Sequence, residues 1–431
     1  MTSVLNHLQL LNGSSKLRNK TLLYGLTLLL GLASCSPKSR VLRSPNYPGA
    51  NTSQGNTEGD LSDKDNQGAK EDKVVELDAS RTIALLLPLK LDVIANNKIE
   101  KEDVNRSSLA LDFYQGFQMG LNEISSEKNP FKLKVIDSKD DVNFNKQLAS
   151  SDDVLNSGLF VGPIYPVEIK AFSENLIDKD KLVINPLAAS SASEFNQPNL
   201  VSITPSIEIH RNSLASKVAS DFSNGDVIIV YNTSDDVSEQ FLDGISELIK
   251  SYNTDVKIVL ASSLEEISAN LTSYGNNLIV SGTTQRIRIN TLIQTLLHKN
   301  VEENYSFTLY GHPLWERFDF SIYSNLQQLN IIITSESLLN TLSSSIMNFN
   351  KLYKAQYGVN PSDQSYKGYD IAKYFGGLIN KYGLENLKSK ILEVDFTGIY
   401  NTYKFDYNEN WGFINGSVSL KEFKNGSFQL L

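Results

Sequence analysis

From Arg81 onward, apolar residues come in short unbroken runs separated by longer amphipathic stretches. The first run, Thr82-Ile83-Ala84-Leu85-Leu86-Leu87, closes at Pro88. A continuous apolar run of this length suits a strand covered on both faces. A helix is predicted next, from Leu109 to Ile124, because Ala110, Phe113, Phe117, Leu121 and Ile124 recur at helical spacing. Ser107 or Ser108 would cap its start. Gly116 and Gly120 stand one turn apart on it and remove bulk where the helix meets another element.

The alternation then repeats. Strands are predicted at Lys132–Asp137, Leu159–Val161, Leu182–Asn185, Leu200–Ile203, Asp226–Tyr231, Val256–Leu260, Asn277–Val280, Ser306–Tyr310 and Ile331–Thr334. Amphipathic segments such as Ile207–Phe222, Val237–Ser251 and Arg286–His298 lie between them. Strands alternating with helices imply parallel sheets. About ten strands exceed one comfortable open sheet, so the chain is expected to form two α/β lobes. A (β/α)8 barrel is the rival. Its eighth strand would be followed by a helix, whereas here a helical stretch, Leu338 to Leu392, leads into short β-like segments at Thr402–Phe405, Ser417–Phe423 and Ser427–Leu431.

The residues before Arg81 follow another logic. Lys16, Arg18 and Lys20 precede an apolar run, Leu22 to Leu32, that is too short to span a bilayer. A basic patch, a short apolar stretch and small residues are the signature of a secretory leader. Leu32-Ala33-Ser34-Cys35 resembles a bacterial lipobox, in which the thiol receives a diacylglycerol after cleavage. Residues 1–34 are thus expected to be a signal peptide, with Cys35 as the lipid anchor. The other reading of a lone cysteine is a buried free thiol. Residues 35–77 are rich in Asn, Ser, Gly, Asp and Lys and are expected to be a disordered tether. No acidic run follows Cys35, which favours a periplasm-facing position in the cell envelope.

Formal net charge over the 431 residues is −9. Nucleic acid is therefore not an expected partner, since phosphate contacts need clustered Lys and Arg. With one cysteine, neither an intrachain disulfide nor a cysteine metal cluster is available. No Gly-x-Gly-x-x-Gly, Gly-x4-Gly-Lys-Ser/Thr, His-Glu-x-x-His or Gly-x-Ser-x-Gly run occurs, and His7, His210, His298 and His312 are scattered. No cofactor and no catalytic role are expected.

Several segments in order resemble the type I periplasmic binding proteins, best known as amino-acid receptors of ABC importers. They include Ile83–Leu87 with Pro88-Leu89, then Phe113 to Asn122, Phe160-Val161-Gly162-Pro163, and Val183 to Ser190. Later come Asn199 to Pro205, Tyr366-Lys367-Gly368-Tyr369-Asp370-Ile371-Ala372, Phe396-Thr397-Gly398 and Tyr403-Lys404-Phe405-Asp406. No single motif is specific; order and spacing carry the resemblance, from about Arg81 to Leu431. It implies two Rossmann-like lobes joined by three hinge crossings, the first of residues 78–205 plus 334–393 and the second of 206–333 plus 394–431. A small ligand would sit between the lobes, beyond the carboxyl ends of the strands.

On that reading Tyr165, Ala188, Ser190 and Ser191 of the first lobe, and Thr233, Asp235, Thr283 and His312 of the second, are the candidate ligand-binding residues. Each has a plainer alternative. Tyr165 packs across the lobe junction, Ser190 and Ser191 cap a helix, and His312 is structural. Tyr366, Tyr369 and Asp370 are expected to serve inter-helix packing. The loops depart from the amino-acid binders: Tyr165-Pro166 stands where a carboxylate-holding Ser or Thr is usual, and Asp235-Asp236-Val237 where an aromatic is. An α-amino acid is thus disfavoured relative to another small ligand or a protein partner. The lipid membrane through Cys35, an ABC permease and a cell-wall synthase are the implied partners. In the alternative reading the chain is a scaffold or regulator of peptidoglycan synthesis with a degenerate cleft.

Overall fold

The computed structural model describes residues 79–96, 99–323 and 325–431. The expected signal peptide, Cys35 and the tether lie outside the described residues.

Ten strands precede the long helical stretch: β1 (Thr82–Leu87), β2 (Lys132–Asp137), β3 (Leu159–Val161), β4 (Val183–Asn185), β5 (Leu200–Ser202), β6 (Val227–Tyr231), β7 (Ile258–Ala261), β8 (Asn276–Ser281), β9 (Ser306–Gly311) and β10 (Asn330–Ser335). Six short ones follow it: β11 (Phe396–Thr397), β12 (Thr402–Tyr403), β13 (Phe405–Asn408), β14 (Gly412–Asn415), β15 (Ser419–Lys424) and β16 (Ser427–Leu430). They assemble into two seven-stranded sheets, β13-β14-β5-β4-β3-β1-β2 and β16-β15-β10-β9-β8-β6-β7, with β11 and β12 paired separately. The two-lobed α/β architecture expected from the alternation is therefore present, and the barrel is not.

The physical reason lies in the unbroken runs. All six residues of β1 are buried. Successive side chains alternate between faces. Ile83, Leu85 and Leu87 join one apolar core, while Ala84 and Leu86 join the core on the opposite face. β6 repeats this, with Val227, Ile229 and Tyr231 on one side and Ile228 and Val230 on the other. Each buried Leu or Ile contributes about 1.5–3 kcal/mol, so such strands settle only where helices cover both faces.

Two glycines bring helices of the first lobe into backbone contact. A Cβ on Gly116 would lie 1.8 Å from the Ser365 carbonyl oxygen, and one on Gly368 would lie 2.2 Å from that of Phe113. Helices Lys101–Ile124 and Asp363–Tyr382 thus pack main chain against main chain.

Four expectations need correction. The first long helix begins at Lys101, not Leu109, and its cap is a box between Glu100 and Asp103 rather than Ser107 or Ser108; the Ser107 hydroxyl instead donates to the Leu89 carbonyl at 3.0 Å. The Val237–Ser251 segment is two helices, broken at Gly244 with φ 63°. The stretch Leu338–Leu392 is three, interrupted at Gly358 and Gly383. Last, residues 394–416 do not join the second lobe. β14 pairs with β5 and β13 with β14, so both extend the first sheet, and only β15 and β16 extend the second. The chain crosses between lobes after β5, after β10 and between β14 and β15.

Candidate functional site: the cleft between the lobes

A cavity of about 710 Å³ opens where the carboxyl ends of β4, β9 and β10 face one another. The first lobe contributes Ala189, Ser190, Ser191 and Tyr400; the second contributes Glu208, His210, Val237, His312, Ser335 and Lys421; Thr204, Pro205, Glu336 and Ser337 come from the crossings. Its wall is acidic: Glu194, Glu208, Glu316, Glu336 and Asp363 line it, against the cations Arg317 and Lys421.

Most of the charge is held in place by neighbours. Lys367, buried on helix Asp363–Tyr382, sets its Nζ 2.6 Å from a Glu336 oxygen. Lys421, buried on β15, pairs with Glu316, whose other oxygen accepts the Ser335 hydroxyl at 2.6 Å. Two carboxylate oxygens lack such support. Glu208 Oε2 and Glu336 Oε2 are both out of solvent contact and take no donor. Buried acceptors are normally satisfied, and leaving one bare is costly.

Two histidines enter the cleft from the second lobe. His210 Nδ1 lies 3.0 Å from the Thr334 hydroxyl, and His312 Nδ1 accepts the Leu314 N–H at 3.1 Å, capping the turn Pro313–Arg317. An Nδ1 that accepts carries no proton, so the neutral ring of His312 bears its hydrogen on Nε2. The ring also packs 4.9 Å from Phe241. Burial pushes both imidazoles down to about 4, and for His312 the neighbouring His210 adds to the push.

Behind the cleft, Asp370 organises the segment between β11 and β12. Its carboxylate accepts backbone N–H groups of Ile399 at 2.9 Å, Tyr400 at 2.8 Å and Asn401 at 2.9 Å. Burial raises this carboxyl to about 6 against the pull of those three donors. The Tyr-Asp segment thus positions Tyr400 on the cleft wall, while Tyr366 donates to Asn350 Oδ1 at 2.7 Å and Tyr369 bonds Glu123.

The eight candidate residues divide. Ser190, Ser191 and His312 line the cavity. Ser191 is also the cap of the turn Ala192–Phe195, in a box with Glu194. Ala188 sits one residue outside, its backbone held from both sides by Asn185 at 2.9 Å. Thr233 and Asp235 satisfy each other at 2.6 Å, and Asp235 caps the helix Asp236–Leu242. Thr283 is fully buried, its carbonyl accepting the Trp315 indole N–H at 2.7 Å. Tyr165 lies under the Arg106 guanidinium, 4.9 Å from ring centre to carbon, inside the first lobe. Three residues on, Glu168 is buried with one oxygen bare; burial raises its carboxyl to about 7 although Arg106 and Lys90 draw it down.

Sequence reading missed Glu208, His210, Glu336 and Lys421. One signal was available: His210 falls on the same helical face as Leu214 and Val218, where a core residue is expected.

No family model matches the sequence, and no curated protein matches it. Solved structures do share its fold. An ABC-type branched-chain amino acid transporter protein of Rhodopseudomonas palustris aligns with TM-score 0.55 at 13% identity, over 81% of this chain and 95% of the other. A branched-chain amino acid ABC transporter protein of Rhodospirillum rubrum gives 0.54 at 14%, over 81% and 99%. The C-domain of LpoA from Haemophilus influenzae, a regulator of PBP1A, gives 0.51 at 14%, over 81% and 99%. The chain has the two-lobed fold of the type I periplasmic binding proteins.

Proposed function

We propose that the protein is an extracytoplasmic solute-binding protein that takes a small ligand between its lobes, held to a membrane through Cys35 and serving an ABC permease. The observation that carries this is the cleft itself, about 710 Å³ of space between hinged sheets with polar groups converging on it. That volume lies within the range of small-molecule sites. Ligand contacts on both lobes favour the closed arrangement, which is how a hinged pair responds to solute. Binding rather than catalysis is the reading, and Ser190, Ser191 and His312 are the contacts retained from the sequence. Among the described residues no helix is long and apolar enough to cross a membrane.

Thermal-shift screening of the full chain tests this, because excess ligand raises the melting temperature by mass action. A hit that is lost in Ser190→Trp, which fills the cleft, supports it; a flat response to amino acids, amines, amides and muropeptides counts against it.

A second reading has its own support. The likeness to the LpoA C-domain, and the internal use of Tyr165, Thr233 and Thr283, favour a regulator of a cell-wall synthase. Cross-linking in cells that recovers a synthase, together with no ligand response, would select it.

A further inference from the structure

Resting on the solute-binding reading, we infer that the cleft selects a ligand whose buried end is a cationic amine or guanidinium and which carries no carboxylate. Three observations converge on this. Among the described residues, three carboxylate oxygens are shut from solvent without a donor, Glu168 Oε2, Glu208 Oε2 and Glu336 Oε2, and two of these residues, Glu208 and Glu336, line this one cavity, the bare oxygen of each lying just behind its wall. Each calls for a hydrogen-bond donor, and an ammonium or guanidinium supplies donors and the opposing charge together.

The cations present do not meet that need. Lys421 is engaged by Glu316, and Lys367 is bound to the other oxygen of Glu336. Arg317 is exposed on the rim, where solvent screens it. A ligand carboxylate would meet five carboxylates, of which Glu316 and Glu336 are paired with lysines and Glu194, Glu208 and Asp363 are not. Tyr165-Pro166 stands where a carboxylate-holding Ser or Thr is usual, and the Thr233 and Thr283 hydroxyls are engaged by Asp235 and the Gln285 N–H.

The third observation is the histidine pair. His210 and His312 are 6% and 5% exposed, and each lines the cavity with Nδ1 already engaged. The His312 Nε2–H remains to orient a neutral acceptor on the ligand body, and the rings add no positive charge to compete with an amine. Val237, Leu314 and Phe428 furnish an apolar wall for that body.

The test compares matched probes on the full chain by titration calorimetry: agmatine and cadaverine, then arginine and lysine, which add an α-carboxylate to the same cation, then glutarate. The expected result is binding of an amine at least tenfold tighter than its carboxylated counterpart, with no heat from glutarate. Glu208→Gln, which breaks no hydrogen bond of that side chain, should weaken amine binding at least tenfold without lowering the melting temperature of the unliganded protein. Amine affinity unchanged in Glu208→Gln and Glu336→Gln would overturn the assignment. Tighter binding of amino acids or glutarate would overturn it too, while leaving solute binding in place. No response to any probe or to the wider screen would remove both.

Discussion

Lys367 Nζ lies 2.6 Å from the Glu336 carboxylate, joining a helix of the first lobe to the chain segment that leaves the second. The lysine side chain is 8% exposed and the glutamate 20%, so this pair is largely withdrawn from water. Such pairs cost desolvation to form, yet removing one partner strands the other. Lys367→Met should therefore lower stability by about 2–3 kcal/mol, and Lys367→Met with Glu336→Leu should recover most of it. Urea unfolding of the single and double variants measures the coupling; additive losses would show that the pair contributes nothing as a pair.

The two cleft histidines set a pH dependence. Their folded values near 4 lie below the usual 6.5. As pH falls from 6.5 toward 4 the unfolded chain takes up protons that the folded chain refuses, so stability falls through that window. The effect is about 3 kcal/mol for one ring taken alone. His312→Asn keeps an acceptor for the Leu314 N–H, so it should flatten the stability–pH slope between 4 and 6.5 by one proton's worth. Denaturant titrations at intervals across the window read that slope, and an unchanged slope would refute the assignment.

Glu168 works in the opposite sense. Its carboxyl is held near 7 by burial, above the ordinary 4.5. The folded chain keeps this proton through a range where the unfolded chain releases it, so the group's contribution is full below 4.5 and is lost as pH rises through 7. Glu168→Gln should match the wild type at pH 4 and exceed it by about 2–3 kcal/mol at pH 8. Equal stabilities at both pH values would mean that the carboxylate is already ionised and compensated.

The main-chain contact between helices Lys101–Ile124 and Asp363–Tyr382 gives a paired test. Gly116→Ala drives a methyl into the Ser365 carbonyl and should cost about 1–3 kcal/mol or more. Gly377, on the second of these helices, has nothing within 4 Å of a Cβ. Gly377→Ala should therefore stabilise by about 1 kcal/mol through helix propensity. Melting temperatures moving in opposite directions confirm the packing, and two shifts of the same sign would contradict it.

The sheets were legible in the sequence because a strand such as β1 or β6 is covered on both faces and must be apolar throughout. The first two turns of helix Lys101–Ile124 were not, since Lys101, Glu102, Val104 and Asn105 are exposed and only a capping box fixes their start. The allegiance of β14 was equally hidden: four residues say nothing of whether β5 or β10 will be their neighbour. The cleft was legible as a location and less so in its residues. Tyr165 and Thr283 look available until Arg106 and Trp315, distant in sequence, are folded against them. Glu336 gave no signal, because its importance comes from Lys367 reaching it.

Between β14 and β15 only residues 416–418 separate the first sheet from the second. Three residues at full extension reach about 10 Å. With so brief a strap, the two sheets are tethered at one edge, and rotation about that edge separates them far more readily than translation does.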